Sequence, residues 1–162
     1  MNSAETKYLK IDFDEALALL KRYARKRGAA FRARTIVLTG SLARGDYTGT
    51  SDADILIIAD DLPRNPLERY LQFAEPSLPF DIEPRAYTPR EFGSMVKQRD
   101  VFAIQALRVG IPLYGRKYFE HLLKFARQYA FEKSSSRHLG GSVAWLRHGK
   151  GRLKEGLNMN GR

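Results

Sequence analysis

Gly40-Ser41-Leu42-Ala43-Arg44-Gly45-Asp46 and Ser51-Asp52-Ala53-Asp54 stand between two short apolar runs, Thr35-Ile36-Val37-Leu38-Thr39 and Ile55-Leu56-Ile57-Ile58-Ala59. Each run has the length and β-branched content of a buried strand, and the second, apolar throughout, reads as central in its sheet. Gly40 and Ser41 close the first strand at a turn where backbone N–H groups are free. Such a turn leading into a short helix can hold phosphate oxygens, with Arg44 near enough to add charge. Asp52 and Asp54 lie two apart at the start of the next strand, so their side chains point to one face. Converging carboxylates repel unless a cation sits between them, and hard oxygen donors favour Mg²⁺ or Mn²⁺ over zinc. Mg²⁺ commonly bridges a few carboxylates to substrate phosphates, which gives the turn and the Asp pair one purpose. A third carboxylate on a neighbouring strand completes a two-metal site. Asp81 and Glu83, again two apart, both qualify.

Working outward, Asp12-Phe13-Asp14-Glu15 has the form of a capping box, and Leu17, Leu20, Tyr23 and Ala24 continue at helical spacing to a stop at Gly28. The end of this helix and its turn are basic through Lys21, Arg22, Arg25, Lys26, Arg27, Arg32 and Arg34, which reads as a solvated face or an anion-binding one. Leu67 to Ala74 is predicted helical. After Pro76 and Pro79, Phe80-Asp81-Ile82-Glu83 begins an alternating third strand. Thr88-Pro89-Arg90-Glu91 supplies an N-cap, a proline at the first helical position and the capping glutamate of a helix through Met95. Ile111-Pro112-Leu113-Tyr114-Gly115 suits an edge element, because proline fits poorly in a central strand. From Arg116 to Phe131, Tyr118, Leu122, Phe125, Ala126 and Tyr129 form one helical stripe. Ser134-Ser135-Ser136 interrupts it, and the Gly-rich remainder is at best a weak helix and a frayed tail.

The 162 residues carry 28 Lys and Arg against 18 Asp and Glu, a net charge of +10, with 43% hydrophobic residues. That apolar content excludes a wholly disordered or collagen-like chain. The absence of cysteine excludes disulfides, thiolate metal sites and cysteine nucleophiles. No apolar run approaches a membrane span, and the polar start Asn2-Ser3-Ala4-Glu5 does not look like a secretory signal, so the expected location is cytoplasmic. The charge is uneven: residues 1–115 hold 17 basic and 15 acidic residues, whereas 116–162 hold 11 and 3. His121, His138 and His148 all lie in the basic part and receive no catalytic role.

The Gly-Ser pair, the ten-residue spacer and the Asp-x-Asp resemble the polymerase-β-like nucleotidyltransferase superfamily, most closely its minimal nucleotidyltransferases. The resemblance runs from about Phe31 to Tyr114 and includes the Thr-Pro-Arg-Glu-Phe helix start. It implies an α/β fold with a small mixed β-sheet flanked by helices, followed here by a basic C-terminal helical extension. The expected divisions are a core over 1–115, a helix packed on it over 116–133 and a basic tail over 134–162. The resemblance implies that Gly40 and Ser41 hold the nucleotide triphosphate with Arg44, and that Asp52 and Asp54 ligate Mg²⁺ or Mn²⁺. The third acidic residue binds metal or acts as base. Counting back from Tyr87 favours Glu83, with Asp81 as the alternative. Pro84 departs from the family pattern, removes a ladder donor and is placed to displace the local backbone.

The implied reaction is in-line attack of an acceptor hydroxyl on the α-phosphorus of ATP or another NTP, with pyrophosphate leaving. Minimal nucleotidyltransferases are frequently antitoxins of HEPN-type ribonuclease toxins, and some attach AMP to a toxin tyrosine. No HEPN-type Arg and His motif occurs here, so that partner is expected as a separate chain. An RNA-directed enzyme or RNA binder is the second reading, in which Tyr118, Phe119, Phe125, Tyr129, Phe131 and Trp145, interleaved with Lys and Arg, supply stacking surfaces. A catalytically silent antitoxin or assembly module is the third. A homodimer is compatible with so small a domain.

Overall fold

A computed structural model describes residues 12–48 and 51–132. Within them the elements run α1 Phe13–Ala30, β1 Ala33–Leu38, α2 Gly40–Arg44, β2 Ala53–Ala59, α3 Pro66–Phe73, β3 Ile82–Tyr87, α4 Pro89–Lys97, α5 Val101–Val109, β4 Ile111–Tyr114 and α6 Arg116–Glu132. The strands form one mixed sheet in the order β3-β2-β1-β4. β1 is antiparallel to β2 and to β4, while β2 and β3 run parallel. The expected small mixed sheet flanked by helices is therefore present, with the Ile55–Ala59 run inside it and the Ile111–Tyr114 segment at an edge.

Both faces of the sheet are covered, which is why β2 shows no polar alternation. Ile55 and Ile57 join Ile36, Leu38, Ile82 and Ala86 in a core with Leu20, Tyr23 and Phe73 from α1 and α3. On the opposite face Val37, Leu56 and Ile58 pack with Phe92, Val96, Ala103, Leu107, Phe119 and Leu122 from α4, α5 and α6.

The caps of α1 differ from expectation. Asp12 is the N-cap, but its carboxylate accepts from the Asp14 N–H at 3.2 Å and no reciprocal bond from Glu15 completes a box. The helix also runs past Gly28 to Ala30. Gly28 is buried, and a Cβ there would meet the Tyr114 ring at 2.7 Å, so the glycine permits close helix-to-strand approach instead of ending the helix. The phenol of Tyr23 donates to the Phe73 carbonyl at 2.7 Å, and burial pushes its pKa well above the ordinary value. Within the basic run, Arg27 donates to the carbonyls of Gln72 and Ala74 and pairs with Glu75. Arg34 pairs with Asp60. Lys21, Arg22, Arg25 and Arg32 are exposed.

Pro84 does not displace β3. The parallel register continues from Asp54↔Glu83 through Ile55↔Pro84 to Leu56↔Arg85. The Asp81 carbonyl accepts from the Ala53 N–H, so alternation along an edge strand turns the Pro84 nitrogen away from β2.

The capping box of α4 forms as read. Thr88 Oγ1 accepts from the Glu91 N–H at 3.2 Å and the Glu91 carboxylate accepts from the Thr88 N–H at 2.7 Å. Arg69 adds two bonds to that carboxylate, at 2.8 and 3.0 Å, and holds the Glu91 pKa down at about 2. A depressed carboxylate stabilises the fold above its unfolded value of 4.5 and loses that contribution as pH falls through about 2. Glu91→Ala is therefore expected to cost about 1 kcal/mol near neutral pH, the usual worth of a helix cap. Chemical denaturation across the acid range should show the difference from wild type narrowing below pH 4.5.

Beyond α4, α5 occupies a stretch with no sequence assignment above; Asp100 caps it through the Ala103 N–H at 3.0 Å. The stripe of α6 is centred on buried Phe119, Leu122 and Ala126, with Tyr118 and Phe125 partly buried beside them. Tyr118 lies under the Arg34 guanidinium and Tyr129 under the Lys97 ammonium. The Phe131 side chain, Trp145, His138, His148 and the proposed tail over 134–162 fall outside the described residues. Among the described residues, no helix is long and apolar enough to cross a membrane.

Candidate active site

The site is built where the end of β1 meets the start of β2. Thr39, buried and extended, donates its N–H to the Asp54 carbonyl at 2.8 Å, which ties the turn after β1 to the first residues of β2. Gly40 follows at φ +67°, a backbone region that favours glycine, and a Cβ there would collide with Asp54 Oδ2. Two constraints thus select glycine: the conformation and the carboxylate beside it. The short helix α2 is anchored by buried Leu42 and closed by Gly45, also left-handed, whose N–H reaches the Ser41 carbonyl at 2.9 Å. Ser41, half-buried, opens this helix next to Gly40. Arg44 ends it, and its Nε donates to the Asp46 carboxylate at 2.9 and 3.2 Å.

Asp52 lies exposed just before β2, after a loop in which Thr48 and Ser51 bond each other through backbone and side chain. Asp54, half-buried, is the Cα partner of Glu83 on the parallel strand β3. In-register partners on adjacent strands share a face, so both carboxylates emerge on the side covered by α4 and α5. Asp81 precedes β3, is exposed and contributes its backbone carbonyl to Ala53. The fold therefore brings Gly40, Asp54 and Glu83 together, sets Asp52 two residues upstream and leaves Asp81 outside the strand.

Burial raises the Asp54 pKa above its ordinary value, and the charges of Glu83 and Asp52 push the same way, against Arg85 and Arg44. Arg85 is the residue that motif reading passed over. Its Nη2 and Nε donate to Glu83 Oε1 at 2.7 and 3.1 Å, and its guanidinium lies 4.8 Å from the centroid of the Phe102 ring. The pairing with Glu83 raises the Arg85 pKa. Tyr87, next on that face, stacks at a tilt against Phe92 and Phe102, and burial raises its phenol pKa. The available signal was alternation: Glu83, Arg85 and Tyr87 are two apart on one strand.

Among the described residues, no group of three His, Cys, Asp or Glu side chains forms a ready-made metal cage. The donor set nevertheless fits a hard divalent cation. All candidates are carboxylates, Asp54 is crowded by like charge, and Mg²⁺ is usually held by one or two carboxylates plus substrate phosphates. Gly40 leaves the space beside Asp54 Oδ2 free of a side chain of its own.

A model of the nucleotidyltransferase domain matches residues 19–107, more than half of the chain. The fold is shared by a toxin–antitoxin crystal structure with AMP-PNP, at 19% identity and a TM-score of 0.51 over 72% of this chain and 91% of that one. A Sulfolobus solfataricus structure described as a nucleotidyltransferase matches at 25% identity and a TM-score of 0.41, over 49% of this chain and 72% of its own. No curated protein matches the sequence significantly.

Proposed function

Because the chain belongs to the nucleotidyltransferase domain family, we propose that it transfers AMP, or another nucleoside monophosphate, from an NTP to a hydroxyl on a partner protein. The observation that carries this reading is the registered pair Asp54↔Glu83 beside the Gly40 turn. The toxin–antitoxin structure of like fold with AMP-PNP supports an adenine nucleotide and a partner protein, and the family resemblance makes a HEPN-type ribonuclease toxin the first candidate acceptor.

Asp52, Asp54 and Glu83 are the residues to hold Mg²⁺ or Mn²⁺. When bound, the cation supplies Lewis-acid chemistry, making the acceptor hydroxyl more acidic and neutralising charge on the phosphates. Backbone N–H groups at Gly40 and the Ser41 hydroxyl hold the β and γ phosphates, and Arg44, on the exposed end of α2, adds charge to them. The acceptor oxygen forms its bond to the α-phosphorus as the bond from that phosphorus to the β-phosphate oxygen breaks. Pyrophosphate departs, and Glu83 takes the hydroxyl proton. The segment after Gly115 is proposed to hold the acceptor, since residues 116–162 carry 11 basic residues against 3 acidic ones.

Incubating the chain with α-labelled ATP, Mg²⁺ and lysate of the source organism tests this. Label on a protein band, dependent on Asp52 and Asp54, is the expected result. Label on RNA instead would transfer the reading to an RNA acceptor, and nucleotide binding with no transfer would leave a silent binding module. Wild-type transfer by Asp52→Ala would sink the mechanism.

A further inference from the structure

We propose that Arg85 is a resident counter-cation that competes with divalent metal for Glu83 and so latches the metal-free site. This rests on the reading above that Asp54 and Glu83 hold a metal.

Both Arg85 donors converge on one oxygen, Glu83 Oε1, so the guanidinium is committed to the very group proposed as metal ligand. The two residues lie two apart on one face of β3, and the register continues unbroken from Asp54↔Glu83 to Leu56↔Arg85. No backbone rearrangement is needed to make or break the contact. Arg85 also reaches Asp54 electrostatically, opposing the push that burial and Glu83 exert on it. Arg44, the other cation acting on Asp54, is already engaged by Asp46. Of the two, Arg85 is the cation hydrogen-bonded to Glu83, the registered partner of Asp54.

The latch is releasable. The Arg85 and Glu83 side chains are 40% and 46% exposed, and an ion pair this open to water is weak. A divalent ion brings twice the charge to both carboxylates at once. The Phe102 ring face offers the released guanidinium a place to stay, since the cation–π contact is separate from the bond to Glu83.

The test is Mn²⁺ titration of the full chain without nucleotide, by calorimetry and by loss of the free Mn²⁺ spin-resonance signal. Arg85→Met keeps an apolar stem for Phe102 and removes the charge. It should bind Mn²⁺ about tenfold more tightly than wild type, as expected for deleting a unit charge a few ångströms from the ion at high effective dielectric. Its metal-free melting temperature should fall and Mn²⁺ should restore it. Arg85→Gln should show the same tightening, and Arg85→Lys should stay close to wild type. Circular dichroism checks that each variant is folded. Equal or weaker Mn²⁺ binding by folded Arg85→Met and Arg85→Gln overturns the latch. If Asp54→Asn abolishes that same binding, the metal reading survives the latch's failure. No saturable Mn²⁺ binding by any variant overturns both.

Discussion

Asp54→Asn is expected to remove nucleotidyl transfer while making the metal-free protein more stable near neutral pH. The loss should be roughly a thousandfold or more, the scale of the several kcal/mol of charge stabilisation that a bound metal contributes. The gain follows from linkage. Burial, and then the charge of Glu83, raises the folded-state pKa of Asp54 above its ordinary value of 3.8. A group raised in this way favours the fold fully below the unfolded pKa, and the contribution is lost as pH rises through the folded one. At neutral pH the carboxylate works against folding, and the amide relieves it. Thermal melts at a series of pH values should show Asp54→Asn above wild type near pH 7 and the two converging below pH 3.8. An Asp54→Asn protein that melts lower at neutral pH would mean that Asp54 is held by favourable bonds, and the crowded-carboxylate account would fail.

Gly40→Ala carries the second large effect. Its φ of +67° penalises any side chain, and the added methyl would collide with Asp54 Oδ2. A backbone conformation of this kind costs about 1–3 kcal/mol for a non-glycine residue, before the collision is counted. The substitution should both destabilise the protein and drive Asp54 out of line with Glu83, with transfer lost. The collision is separable from the conformational cost. Asp54→Ala in the Gly40→Ala background removes the colliding group, so the double variant should be more stable than the sum of the single effects implies. Strict additivity in urea denaturation would show that Gly40 is needed for its backbone alone.

Much of this was legible in the chain because it rests on short-range rules. The Gly-Ser turn, the strands around it, the Thr88 capping box and the edge position of Ile111–Tyr114 each follow from spacing and side-chain type. What was not legible depended on partners distant in sequence. Gly28 looks like a helix stop until Tyr114, far along the chain, is seen to press on it. Asp12 finds a nearer N–H than the box requires, so the motif is present and unused. Helix α5 reads Val-Phe-Ala-Ile-Gln-Ala-Leu-Arg-Val, too evenly apolar for its period to stand out. On α6 the predicted stripe holds at Leu122 and Ala126 but omits Phe119, which is the buried ring where Tyr118 beside it is only partly covered. Arg85 escaped because a motif search asks for carboxylates and glycines and has no place for the cation that neutralises them. That Glu83, and not Asp81, stands in register with Asp54 depends on the pairing of β3 with β2, which no single strand states.

That parallel register also sets what the molecule can tolerate. Side chains on a strand repeat every two residues, so a slip of β3 by one position would turn every one of them over. Glu83 and Arg85 would then be driven among Ile55, Ile57 and Phe73, while Ile82 and Ala86 would be handed to the face where the chemistry is proposed. The apolar contacts of Ile82 and Ala86 therefore guard the carboxylate geometry although neither residue carries chemistry. A single residue added within β2 or β3 would likewise scramble the site while leaving a sheet behind.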